Sequence, residues 1–320
     1  MNWKVISYLT LIAVVSGVFF SCYKTKNFST NLTAQIDSAI ITQSYDQARV
    51  TAILDEVFND VNTALSNQYA VTGAGLLPDT SLCNATILLD TATSPNSIAI
   101  RYIGPSCDNS RNLNGNVTIY FNPGTSWSTS GDTIGVNINM LTVQGVTDTN
   151  KIRLNGTFYV VNASGGNLST LTTGTSPVVH EIFSNYFGVL FNSADTATWQ
   201  VARKRTYTNN GSGIVITTTG IDSVGGIANV SEWGGTRYAN SFITAIDTPL
   251  VATAACGYQI GSGQVQLTNP TGATTLTYGL NASGSAATGC PASGSYYYFK
   301  FSWTGSDANP YSNVRPYPFW

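Results

Sequence analysis

The stretch Cys256–Trp303, CGYQIGSGQVQLTNPTGATTLTYGLNASGSAATGCPASGSYYYFKFSW, decides how the chain is read. Val265-Gln266-Leu267 alternates apolar and polar, Pro270-Thr271-Gly272 breaks the run, and Thr274–Tyr278 alternates again. Gly279–Gly294 is small and polar, and Tyr296–Trp303 then runs as a strand with two unlike faces. Period-two alternation between Gly, Asn and Pro breaks is the signature of short antiparallel strands. Candidate strands in this stretch are 256–260, 263–268, 273–278 and 295–303.

A shorter echo of the same plan lies at Cys83–Phe121. Its landmarks pair Cys83 with Cys256, Arg101-Tyr102 with Thr277-Tyr278, Cys107 with Cys290, and Gly115 with Gly294. This points to a degenerate internal repeat, with two related β units over about 82–195 and 196–320. Further candidate strands are 84–89, 97–103, 115–121, 133–143, 152–162, 198–208, 213–219, 227–232 and 236–247. Val178–Phe191 fits a short helix or buried strands. Asn114-Gly115, Asn155-Gly156, Gly165-Gly166, Asn210-Gly211 and Gly225-Gly226 read as tight turns, because these residues tolerate positive φ. The tail from Pro310 reads as extended chain along the domain, or as a free partner-binding peptide.

Composition agrees. Of 320 residues, 42% are hydrophobic but only 9% are charged, and polarity comes from Thr, Ser, Asn and 30 glycines. Helical bundles draw on Glu, Lys and Arg; this mixture suits an exported β protein. The expected fold is therefore mainly β, with sandwich-like antiparallel sheets and one N-terminal amphipathic helix. That helix is expected at 46–68, where Val50, Ile53, Leu54, Val57, Phe58, Val61, Ala64 and Leu65 recur at three- and four-residue spacing. Ser44 is its expected N-cap, and Asp55, Glu56, Asp60 and Asn62 mostly occupy the face away from the docked stripe.

Lys4, the apolar run Val5–Phe20 and Ser21-Cys22 form a secretory signal pattern over 1–21. With a small residue before the cysteine, Phe19-Phe20-Ser21-Cys22 resembles a bacterial lipobox, which implies acylation of Cys22 and a tether over 22–43. Acyl chains contribute about 0.8 kcal/mol per buried methylene, so the implied partner is a membrane held through the N-terminus. The implied location is the cell envelope, as an outer-membrane lipoprotein. Export places Cys83, Cys107, Cys256 and Cys290 where disulfides persist. The repeat favours Cys83–Cys107 and Cys256–Cys290; pairing between copies, or four free thiols, remain open.

Several chemistries find no footing. A net charge of −2 gives no electrostatic case for nucleic acid. Arg203-Lys204-Arg205 is the densest basic run and reads as a solvated strand end. His180-Glu181 lacks the second histidine of a zinc protease, and Ser184 and Asn185 stand at that spacing. There is no C-x-x-C pair and no G-x-S-x-G elbow, so neither a metal or other cofactor nor an enzyme is expected. Only Glu56, Glu181 and Glu232 are available among glutamates for a glycosidase-type pair. The aromatics are the better candidates. Tyr297, Phe299, Phe301 and Trp303 share one face of the last strand, and Tyr296 and Tyr298 share the other, where they could stack a sugar or pack a partner. Trp127 and Trp233 are weaker candidates of the same kind.

The order of motifs carries a resemblance: the lipobox, Asp46-Gln47-Ala48 in the helix, a Cys-bounded β unit, Asn155-Gly156-Thr157, Trp199-x-x-x-Arg203-x-Arg205, then Ser262–Val265, Thr277-Tyr278-Gly279 and Cys290. The chain resembles a broad set of β-rich lipoproteins of Bacteroidota. Members of that set carry Asp-Tyr-Gly and Cys-Asp in the last unit, where this chain has Thr277-Tyr278-Gly279 and Cys290-Pro291. The resemblance implies an anchored β-rich envelope protein and carries no activity over to this chain. It extends to an O-glycosylation motif, Asp followed by Ser or Thr and a small or apolar residue, which implies glycans at Ser38, Thr91, Thr133, Thr196 or Ser223. The expected function is a non-catalytic structural or binding role in the envelope, with glycan binding through exposed aromatics as the alternative and a hydrolase as the remote one.

Overall fold

The computed structural model describes residues 28–317, apart from 67–81, 83, 93, 108, 125, 147–149, 293 and 306, with side chains from Ser38 onward. The signal segment, Cys22 and Cys83 lie outside the described residues. The chain is mainly β, with 58% of residues in strands and one N-terminal helix.

Helix α1 spans Phe28–Ser66 and so starts well upstream of Asp46. Residues 28–43, expected as tether, are helical. No Gly or Pro interrupts Phe28–Ser66, so nothing in the sequence stops the helix there. Ser44 lies inside it and not at its cap, with its hydroxyl donating to the carbonyl of Ile40 at 2.9 Å.

Fifteen strands follow: β1 Ala85–Asp90, β2 Asn96–Pro105, β3 Arg111–Phe121, β4 Thr133–Gly145, β5 Lys151–Asn162, β6 Val178–Phe191, β7 Asp195–Asn209, β8 Ile214–Gly220, β9 Asp222–Val224, β10 Ile227–Gly235, β11 Ser241–Thr253, β12 Ile260–Asn269, β13 Gly272–Leu280, β14 Tyr297–Thr304 and β15 Pro310–Tyr317. All pairings are antiparallel, and the strands join into one sheet that meanders from β1 to β7, passes to β10 and continues to β15. β8 bridges β7 and β11, so β7, β8, β11 and β10 close into a small barrel. Val178–Phe191 is strand β6, which settles its ambiguity. Residues 256–259 are not a strand: Ala254–Cys256 is a short 3-10 turn, Gly257 and Tyr258 follow at positive φ, and β12 starts only at Ile260. The tail pairs as β15 along β14 from Tyr297 to Thr304, and its prolines sit at the free edge, where no ladder N–H is needed.

The two Cys-bounded segments share a plan. A hairpin (β1–β2, β12–β13) precedes a cysteine, and then a third strand (β3, β14). Tyr102 and Tyr278 both point inward from the second strand of their hairpins. The landmarks Gly115 and Gly294 do not correspond, because one lies within β3 and the other in the turn before β14.

Neither Asn114-Gly115 nor Asn155-Gly156 makes a turn; both lie inside strands. β4 carries an extra residue around Met140 relative to β3 and β5, and β6 carries one between Ser184 and Phe187 relative to β5 and β7. Bulges aligned across neighbouring strands bend a sheet sharply. Gly115 is needed at that bend, since a Cβ there would lie 2.6 Å from the Leu141 Cα.

The bent sheet encloses α1. From Ala39 to Ser66 no helical residue is exposed. The apolar stripe from Val50 to Leu65 merges with Ile98, Val117, Val136, Phe158, Phe299 and Phe301 in one core. Phe58 meets Phe158 edge-on at 5.4 Å, and Tyr45 meets Phe301 at 5.1 Å.

Candidate functional site

With α1 enclosed, its polar face must be matched by the sheet, because an unpaired buried charge costs several kcal/mol. Strand alternation supplies the partners. On β7 the inward column is Trp199, Val201, Arg203, Arg205 and Tyr207, with Lys204 facing out. Arg203 and Arg205 are therefore buried, not a solvated strand end. Both pair with Asp55, Arg203 Nη1 at 3.3 Å. Arg203 also pairs with Glu232 of β10, which is fully buried and accepts from Trp199 Nε1 at 3.1 Å and from Gln47 Nε2. Arg111 of β3 donates to Glu56 at 2.5 Å, and Arg237 holds Asp46. Asn62 donates to the Tyr207 hydroxyl at 2.8 Å. The acidic face expected to point away from the docked stripe is thus the helix's second docking face.

Part of that face opens onto a groove. One of its two cavities is ≈ 410 Å³, floored by Ala52, Asp55, Glu56, Asn59 and Asp60. One rim is Ser106, Cys107 and Arg111; the other is Gly257–Ile260 with Tyr296 and Tyr317. A second cavity, ≈ 480 Å³, continues it along α1 past Asn62 and Ser66 to Tyr207, Ile214 and Ile216. Asn59, Asp60 and Tyr258 line both. The rims are fixed covalently: Cys107 is disulfide-bonded, and Cys256 is joined to Cys290. The Cys256–Cys290 pairing is the one the repeat favoured.

Three features distinguish the groove. Asp60 accepts a hydrogen bond from the Tyr102 hydroxyl at 2.7 Å, and burial pushes its carboxyl up to about 7, against that bond and the more distant Arg111. Glu56 adds to the rise by repulsion. Tyr317 is only 3% exposed, yet its hydroxyl has no hydrogen-bond partner among the described residues. Tyr258 stands between the two cavities at φ 58°, 37% exposed. Positive φ in a bulky residue is costly and concentrates at functional sites.

The structure disperses the other candidates. Tyr296 and Tyr298 are half-buried and line a separate cavity of ≈ 370 Å³ beside Cys290 and Pro291. Tyr296 alone also reaches the main groove. Trp127 is buried core against His180, so it is no ligand platform, and Trp233 is half-buried on β10. His180 sits between Trp127 and Tyr207 at ring distances of 5.1 and 4.9 Å, and burial lowers its pKa to about 3, with Arg205 adding to the effect. Ser38, Thr91, Thr133, Thr196 and Ser223 are all exposed. Asp60, Tyr258 and Tyr317 escaped the sequence reading. The one signal for them was the acidic helix face opposite a chain with few arginines.

Comparison with family models, with curated proteins and with solved structures gave no match.

Proposed function

We propose that this chain is a lipid-anchored cell-envelope protein with a non-catalytic binding role, and that it holds its ligand in the groove over the polar face of α1. The lipobox-like Phe19–Cys22 and the apolar run before it support the anchor. The observation that carries the binding role is the pair of adjoining cavities over α1, both lined by Asn59, Asp60 and Tyr258, with the Asp60 carboxyl answered by the Tyr102 hydroxyl. A partly desolvated carboxylate without an ion pair, beside an opening of ligand size, is a ready contact. Glu56 is committed to Arg111 and Asp55 to Arg203 and Arg205, so among the described residues of the cavity floor Asp60 has no second free carboxylate to form an acid–base pair.

A second reading has its own observation. Tyr296 and Tyr298 line one cavity next to the Cys290 loop, where a sugar ring could stack. Calorimetric titration of a panel of envelope saccharides and amines into the wild type, Tyr258→Ala and Tyr298→Ala separates the two. Binding lost in Tyr258→Ala and kept in Tyr298→Ala supports the groove. The reverse pattern moves the site to the Cys290 loop, and absence of binding throughout leaves a structural role.

A further inference from the structure

We propose that the ligand of this groove is a small polar amine, whose ammonium group is held by Asp60. The inference rests on the groove being a binding site. Charge accounting on the groove floor favours a cation. Asp55 is neutralised from behind by Arg203 and Arg205, and Glu56 by Arg111. Asp60 accepts a hydrogen bond from a phenol and makes no ion pair among the described residues. A desolvated carboxylate answered only by a neutral donor gains most from an incoming ammonium, through a charge-assisted hydrogen bond. Tyr258, 37% exposed between the two cavities, adds an aromatic face of the kind that attracts cations. The cavity suits a ligand of monosaccharide to dipeptide size.

Amino sugars and short diamines share this chemistry, so the test uses glucosamine, glucose and cadaverine with the full mature protein. Glucosamine and cadaverine should bind, with glucose at least tenfold weaker. Asp60→Asn should weaken the amines at least tenfold and leave any glucose binding unchanged. The groups facing Asp60 are Tyr102 from β2, Arg111 from β3 and Glu56 on α1. Cadaverine affinity should therefore fall by about tenfold for each pH unit below 7, as Asp60 takes up its proton. Glucose binding as tightly as glucosamine in a Tyr258-dependent manner would overturn the amine assignment and leave the groove standing. Failure of both amines to bind, or unchanged cadaverine affinity in a folded Asp60→Asn variant, would also overturn it.

Discussion

Replacing Asp60 by Asn should change how stability depends on pH, by an amount set by two buried groups of opposite sense. Asp60 has its carboxyl raised from 3.8 to about 7 in the folded chain. Between those values the native state holds a proton that the unfolded state has lost, so stability falls as pH rises, by about 1.4 kcal/mol per unit. His180 is lowered from 6.5 to about 3. Between those values the unfolded state holds the extra proton, so stability rises with pH at the same slope of about 1.4 kcal/mol per unit. The windows overlap from 3.8 to 6.5, and there the two contributions oppose each other. Burial also raises Asp46, which adds to the downward slope, so the informative quantity is the difference between variant and wild type. From pH 4.5 to 6.5, Asp60→Asn should gain about 2.7 kcal/mol relative to wild type. His180→Gln should show the mirror image. Urea unfolding followed by tryptophan fluorescence at half-unit pH steps measures both. Parallel curves for wild type and Asp60→Asn would refute the reasoning, because they would mean that Asp60 titrates alike folded and unfolded.

Other perturbations follow from the same contacts. Glu232→Ala strands the Trp199 indole and takes one partner each from Arg203 and Gln47, and should cost about 3–5 kcal/mol in chemical denaturation, whereas a well-packed Glu232→Gln should cost less. Cys256→Ser opens a loop of 34 residues and should cost up to about 4 kcal/mol in chemical denaturation under oxidising conditions, with a larger loss for the wild type on reduction, which also opens the bridge at Cys107. Gly279→Ala places a Cβ 1.9 Å from the Gly261 carbonyl at φ +74° and should prevent native folding, read as loss of the cooperative thermal transition. Gly104→Ala, with open space around it, should cost only about 1 kcal/mol of backbone strain in the same scan.

The strands were legible because alternation between breakers reports a half-buried ladder directly. β5 and β14 lie where the pattern puts them, while β3 starts four residues before its expected Gly115. The length of α1 was not legible, since the apolar stripe that marks it is crisp only after Asp46, and the upstream turns carry a more polar sequence. The Asn-Gly pairs misled for a physical reason. Glycine serves a hairpin turn and a close approach between strands equally well, and at Gly115 and Gly156 the approach is what the fold uses. The site was hidden for a related reason. Arg203 and Arg205 look like surface charge in sequence, and only the enclosure of α1 turns them inward onto Asp55. Tyr317, from a tail that could have been free, becomes a groove wall through its pairing opposite Tyr297.

The most direct test of the account is the titration of the Asp60 carboxyl carbon by NMR in selectively labelled protein, assigned with Asp60→Asn. The account predicts a midpoint near 7 in the empty groove and a drop of at least one unit when cadaverine saturates it. A midpoint near 4 that cadaverine leaves unmoved would contradict both the buried, uncompensated carboxylate and the ligand built upon it.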